Sequence, residues 1–211
     1  MGDIDRIQLE RLSKRYTAHW IVKNLTHEFT AGTIHGVMGA NGSGKSTLLK
    51  MISGFLSPTA GSITYSTGGR TIDRDEIYRH VSFWAPYLSL VGDLTVREMI
   101  NYVGKFKGLR TSTLTAFLDR IEWPISANAQ IKSLSSGQNQ RLGLGLVVLS
   151  TSSILLLDEP SSFLDETSKT WMHDLIDENT TGRILIIASN DPSDLISTTA
   201  QIRMGNAASG V

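Results

Sequence analysis

Gly39-Ala40-Asn41-Gly42-Ser43-Gly44-Lys45-Ser46 is the stretch on which the reading of this chain turns. It matches G-x-x-x-x-G-K-[ST], and its surroundings fit that pattern: the apolar strand Ile34 to Met38 precedes it. Leu48, Leu49, Met51 and Ile52 follow at helical spacing, with Gly54 as a stop and Pro58 beyond. Strand, glycine loop and helix together form a cradle for phosphate. Backbone N–H groups must curl around the oxygens, which demands conformations and a closeness of approach that a Cβ obstructs. The positive end of the helix adds to the field, Lys45 brings a point charge to the β- and γ-phosphates, and Ser46 offers a hydroxyl to Mg²⁺. Gly39, Asn41, Gly42, Ser43, Gly44, Lys45, Ser46 and Thr47 are therefore the candidate phosphate-binding residues.

Outward from the loop, Asp5 to Leu12 and Ile21 to Phe29 read as earlier strands. From about Pro86 to Gln140 the pattern becomes helical: Thr95-Val96-Arg97-Glu98 is a capping box ahead of Met99, Ile100 and Val103, and a second stretch runs from Leu114 to Ile121. The last third predicts a helix over 141–149, a strand over 154–157, a helix over 167–176, a strand over 184–188 and a short helix opened by Asp191-Pro192. Uninterrupted apolar strands separated by helices mark a parallel sheet covered on both faces. The strand Ile154 to Leu157 ends in Asp158-Glu159-Pro160, which makes Asp158 the candidate partner of Mg²⁺ and Glu159 the candidate base for an attacking water.

Composition narrows the classes. Twenty Lys+Arg balance twenty Asp+Glu over 211 residues, so no overall charge argues for nucleic acid, and none is expected as a partner. There is no cysteine, which excludes disulfides and thiolate chemistry. The longest apolar run, Leu142 to Leu149, is far short of a bilayer span, and Met1 to Arg6 has no apolar leader, so the mature chain is expected to begin there.

Leu134-Ser135-Ser136-Gly137-Gln138 carries no chemistry alone and reads equally as a polar cap on the following helix. In the order phosphate loop, L-S-x-G-Q, strand-D-E-P and then Ser162-Phe163-Leu164-Asp165, however, the chain resembles the ATP-binding subunits of ABC transporters. The resemblance implies an α/β fold: a phosphate-loop NTPase core, mainly parallel sheet with helices on both faces, with an N-terminal antiparallel β subdomain and an inserted α-helical subdomain. One nucleotide-binding domain would cover 1–211, with 1–85 and 141–211 as core and about 86–140 as the helical subdomain carrying the signature. It further implies ATP and Mg²⁺ as cofactors and a homodimer or heterodimer of nucleotide-binding subunits. In that dimer the signature residues Ser135, Ser136, Gly137 and Gln138 of one chain close the nucleotide site of the other, Ser135 and Gly137 contacting the γ-phosphate held by the partner, and Asp165 lies at the interface. Tyr16 would stack on adenine. An integral-membrane transporter subunit would be the coupled partner, placing the chain on the cytoplasmic face of the membrane through that partner.

Two positions depart from the family. No glutamine occurs between Gln8 and Gln130, so the glutamine expected at the entrance to the helical subdomain is absent and Ala85-Pro86-Tyr87 stands there. The last histidine is His173; Asn190 takes the place of the histidine that follows the last core strand, or, one residue earlier, Ser189 faces the nucleotide. An amide can donate to a γ-phosphate but cannot take a proton from water, so Asn190 reads as a sensor, Glu159 as the remaining base, and hydrolysis as slow. A dimerising switch with little hydrolysis, or a non-transport ATPase of the same family, are the alternatives.

Overall fold

The computed structural model describes residues 3–205; the N-terminal reading at Met1 and Gly2, and both ends of the 1–211 assignment, lie outside them. Among the described residues nine strands form two sheets. The antiparallel sheet has the order β2-β1-β4-β5, from β1 (Arg6–Tyr16), β2 (His19–Thr30), β4 (Ala60–Thr67) and β5 (Arg70–Ile72). The second sheet is parallel throughout in the order β6-β7-β8-β3-β9: β6 is Val81–Trp84, β7 Ile154–Asp158, β8 Ile184–Ser189, β3 Ile34–Met38 and β9 Ala200–Arg203. Helix α1 (Lys45–Ile52) follows β3, and α2 (Val96–Lys107), α3 (Leu114–Arg120) and α4 (Ser136–Val148) lie between β6 and β7. Helix α5 (Glu166–Asn179) joins β7 to β8.

The central strands β7 and β8 are buried over their whole length, which is why they read as continuous apolar runs. Alternate residues go to opposite faces: Leu155, Leu157, Leu185 and Ile187 join the core under α2 to α5, while Ile154, Leu156, Ile184 and Ile186 join the core shared with α1 and the antiparallel sheet. The arrangement places the C-terminal ends of β6, β7, β8 and β3 side by side, where the loops of a parallel sheet collect ligands.

The structure moves some boundaries. Helix α4 starts at Ser136, not at 141, because Ser135 and Gln138 form a capping box that makes the signature its first turn. Residues 192–195 are a 3-10 turn. Strands β4, β5, β6 and β9 have no clear sequence signal. In β4 only Tyr65 is buried, with its hydroxyl donating to the Ile52 carbonyl at 2.7 Å, and in the edge strand β9 only Ile202 is buried. The capping box at Thr95 forms as read, with Thr95 N donating to Glu98 Oε2 at 2.8 Å and Glu98 N to Thr95 Oγ1 at 3.2 Å.

The join between the sheets carries a titratable group. His35 of β3 is 3% exposed, packs edge-on against Phe29 with ring centroids 4.9 Å apart, and accepts a hydrogen bond from Thr30 N at 3.2 Å. Burial lowers it to about 4, and the neighbouring His27 is lowered by the same cause. The unfolded chain therefore takes up this proton near pH 6.5 and the folded chain only near 4, so stability is whole above that window and falls as pH drops through it. Between pH 7.5 and 5 the urea-unfolding free energy is expected to fall by about 2 kcal/mol, and His35→Gln should remove most of that slope. A free energy flat over this range would contradict the assignment.

Candidate functional site

The loop between β3 and α1 is shaped by its glycines. Gly44 has φ +101°, and a Cβ there would lie 2.8 Å from the Ile21 carbonyl oxygen; a Cβ on Gly39 would come within 2.8 Å of the Met204 carbonyl. Lys45 Nζ, 5% exposed, donates to the Gly39 carbonyl at 2.8 Å and lies 3.3 Å from Glu159 Oε1. A cleft of about 650 Å³ opens above the loop. Tyr16, Asn41, Gly42, Ser43, Gly44, Lys45, Ser46, Thr47, Asp158 and Glu159, all singled out in the sequence, line it. Gly39 is not among the lining residues and meets the site through its carbonyl, which accepts from Lys45 Nζ, and Asn190 reaches the cleft's edge by donating from Nδ2 to Asn41 Oδ1 at 3.1 Å. Tyr16 is half exposed at the mouth beside Ile21, with Lys14 Nζ 5.3 Å from its ring centroid.

The acidic pair at the end of β7 divides the floor of the cleft. Asp158 is buried, and desolvation pushes its carboxyl up, opposed by hydrogen bonds from Ser46 and Tyr87 and by the Lys45 charge, while the Glu159 charge adds to the rise. Its Oδ2 accepts from the Tyr87 hydroxyl at 3.0 Å, whereas Oδ1 is buried without a partner. A buried carboxylate oxygen left unsatisfied, beside the Ser46 hydroxyl, is a hard-oxygen donor set suited to a divalent cation such as Mg²⁺. Glu159 takes φ +48°, and its Oε2 accepts from Ser189 Oγ at 3.0 Å and from Asn190 N at 3.2 Å. Ser189 Oγ also lies 2.6 Å from Oδ2 of Asp194, a fully buried carboxyl that desolvation pushes up. The single hydroxyl proton of Ser189 serves one carboxylate at a time, Glu159 or Asp194. Asn190 thus faces the phosphate loop and Ser189 the acidic pair.

The signature residues lie elsewhere. Ser135, Gly137 and Gln138 line a separate cleft of about 340 Å³ with Phe163, Leu164 and Asp165, and Ser136 is the first residue of α4. Within one chain the two sets are not brought together; Phe163, at φ +66° and largely exposed, borders both clefts.

Sequence reading does not single out Tyr87, Phe163, Asp194 or Gln140 as site residues. Gln140 is the structural link: buried in α4, it accepts from Trp84 Nε1 at 2.8 Å and donates to the Pro160 carbonyl at 2.6 Å. It ties the end of β6 to the loop after β7. Gln140→Leu keeps the volume but strands both partners, and is expected to lower the unfolding free energy by about 2 kcal/mol. A urea titration showing a change under about 0.5 kcal/mol would contradict that role.

Taken together, the parallel sheet, the glycine loop at its carboxyl edge and the acidic pair beside it define a phosphate-loop nucleotide-binding domain. A family model described as ABC transporter matches residues 22–162, two thirds of the chain, and the chain belongs to the ABC transporter family as one of its ATP-binding members. The ABC transporter ATP-binding protein YybJ of Bacillus subtilis is 29% identical over 194 residues, covering 90% of this chain and 88% of that protein. A second Bacillus subtilis relative, YxlF, is 31% identical over 82% of this chain, which spans 58% of its length. Among solved structures, a dimeric bacterial ABC transporter cassette superposes with a TM-score of 0.79 at 23% identity, covering 94% of each chain, a likeness of fold. No helix among the described residues is long and apolar enough to cross a membrane.

Proposed function

We propose that the chain binds and hydrolyses ATP and, by closing as a dimer around it, drives a separate membrane-spanning partner. The observation that carries this reading is the division of the site. Lys45, Ser46, Asp158 and Glu159 converge on one cleft, while the capped N-terminus of α4, a second anion-binding element, points into another. A triphosphate held in the first cleft of one chain would satisfy the second cleft of another, in a homodimer or with a similar chain.

In this reading the loop amides and Lys45 hold the β- and γ-phosphates, Tyr16 stacks on the base, and Ser135, Ser136, Gly137 and Gln138 close on the γ-phosphate from across the interface. Ser46 and Asp158 would hold Mg²⁺, which when bound neutralises phosphate charge and orients the transferring group. Glu159 orients and deprotonates the attacking water, and Asn190 senses the γ-phosphate. Residues 86–140 act as a helical subdomain on a core made of 1–85 and 141–211. The partner, an integral-membrane subunit, keeps the chain peripheral on the cytoplasmic face.

A second reading, a switch whose ATP-driven dimerisation is the output, is favoured by the engagement of Glu159. Both its oxygens are occupied, by Lys45 on one side and by Ser189 and Asn190 on the other, and no histidine stands beside it to share a proton. Turnover by the isolated protein is expected below about 1 s⁻¹, at the low end for enzymes. Lys45→Ala should weaken ATP binding at least about tenfold by removing a buried charge contact. Glu159→Gln should abolish the residual turnover and trap an ATP-dependent dimer, read by sedimentation. Undiminished hydrolysis in Glu159→Gln would overturn the assignment of the base, and an absence of any ATP-dependent dimer would overturn both readings.

A further inference from the structure

The phenol of Tyr87 stands on the metal side of the cleft, where neither the phosphate loop nor the acidic pair requires it. Its placement is firm. Leu88 N donates to the Ala85 carbonyl at 2.9 Å, closing a four-residue turn in which Pro86 takes the position that its fixed φ favours and Tyr87 follows. Trp84 and Ala85, which lead into this turn, are buried, and Trp84 is pinned by Gln140. Lys50 Nζ of α1 lies 4.5 Å from the Tyr87 ring centroid and holds the ring from its outer side. The turn, the cation and the buried strand end leave the hydroxyl aimed at Asp158, to which it donates at 3.0 Å, with Ser46 as the other polar group acting on it.

We propose that Tyr87 sets the divalent-cation affinity of this site by competing for Asp158: its hydroxyl occupies a lone pair of the carboxylate that, with Ser46, forms the metal-binding pair, and must release it before a cation gains the whole group. The proposal rests on the reading of Ser46 and Asp158 as the metal-binding pair. Its chemistry is simple. A phenol hydrogen bond to a buried carboxylate partly neutralises it, as a cation would, so the protein satisfies Asp158 with its own proton donor and the cation has to displace that donor. Asp158 Oδ1, buried and without a partner, is the oxygen left unsatisfied until a cation binds. Tyr87 is in this sense a positioning residue that acts through Asp158.

The test uses the whole protein and a non-hydrolysable ATP analogue, with binding measured by calorimetry across a Mg²⁺ titration and again in EDTA. Tyr87→Phe keeps the ring, its packing and the Lys50 contact while removing the hydroxyl. It is expected to lower the Mg²⁺ concentration at half-maximal enhancement of analogue binding about tenfold, the scale of one hydrogen bond to a charged group. In EDTA the variant and the parent should bind the analogue alike. An unchanged or higher midpoint in Tyr87→Phe overturns the competition, and so does an equal change in EDTA, which would make Tyr87 a nucleotide contact. A parent protein that binds the analogue tightly but with no Mg²⁺ dependence overturns this proposal alone; one that binds no nucleotide at all overturns the ATP reading beneath it.

Discussion

A lysine ammonium that is 5% exposed has to be surrounded by oxygen, and much of this site follows from that requirement. Lys45 lies at the first turn of α1, so its Nζ can return to its own loop, where it finds the Gly39 carbonyl, and can reach across to Glu159. The second contact exists only because β3 and β7 end at the same level of one parallel sheet with β8 between them. Phosphate loop, acidic pair and the Ser189-Asn190 step are thus held to one another by the sheet register and by a single buried cation. The neutral overall charge of the chain fits this economy, since the anion is met locally.

The acidic pair shows how one strand end produces two environments. Asp158, inside the strand, is fully buried and leans on Tyr87 and Ser46; Glu159, one residue on, leaves the strand at positive φ and turns toward Lys45, Ser189 and the open cleft. The alternation of side chains along a strand, ended by a backbone kink, separates a group suited to a cation from a group suited to a water molecule. Behind them the buried Asp194 shares the Ser189 hydroxyl with Glu159.

The parts that were legible from residues alone are those with strong periodicity or an obligatory chemistry. The central strands β7 and β8 are apolar over their full length because both faces are covered, and the phosphate loop announces itself by glycines that only a close backbone approach explains. The inner strand Ala60–Thr67 and the edge strand Ala200–Arg203 carry no clear pattern for the complementary reason: each buries one large side chain and leaves the rest exposed or half-buried. Helix α4 was placed too late because its first turn is stabilised by side-chain capping rather than by apolar spacing. Tyr87 meets Asp158 and Ser189 meets Glu159 across 71 and 30 residues, distances over which no local pattern operates, and Asp194 joins them through Ser189.

The bond pair at Gln140 has a mechanical meaning. Because one amide grips both the indole at the end of β6 and the carbonyl of Pro160 after β7, a single side chain of helix α4 joins two neighbouring strand ends. The turn bearing Tyr87 begins one residue after the Trp84 that this amide holds, so the helix whose first turn carries Ser136, Gly137 and Gln138 and the turn that presents Tyr87 to Asp158 share one anchor.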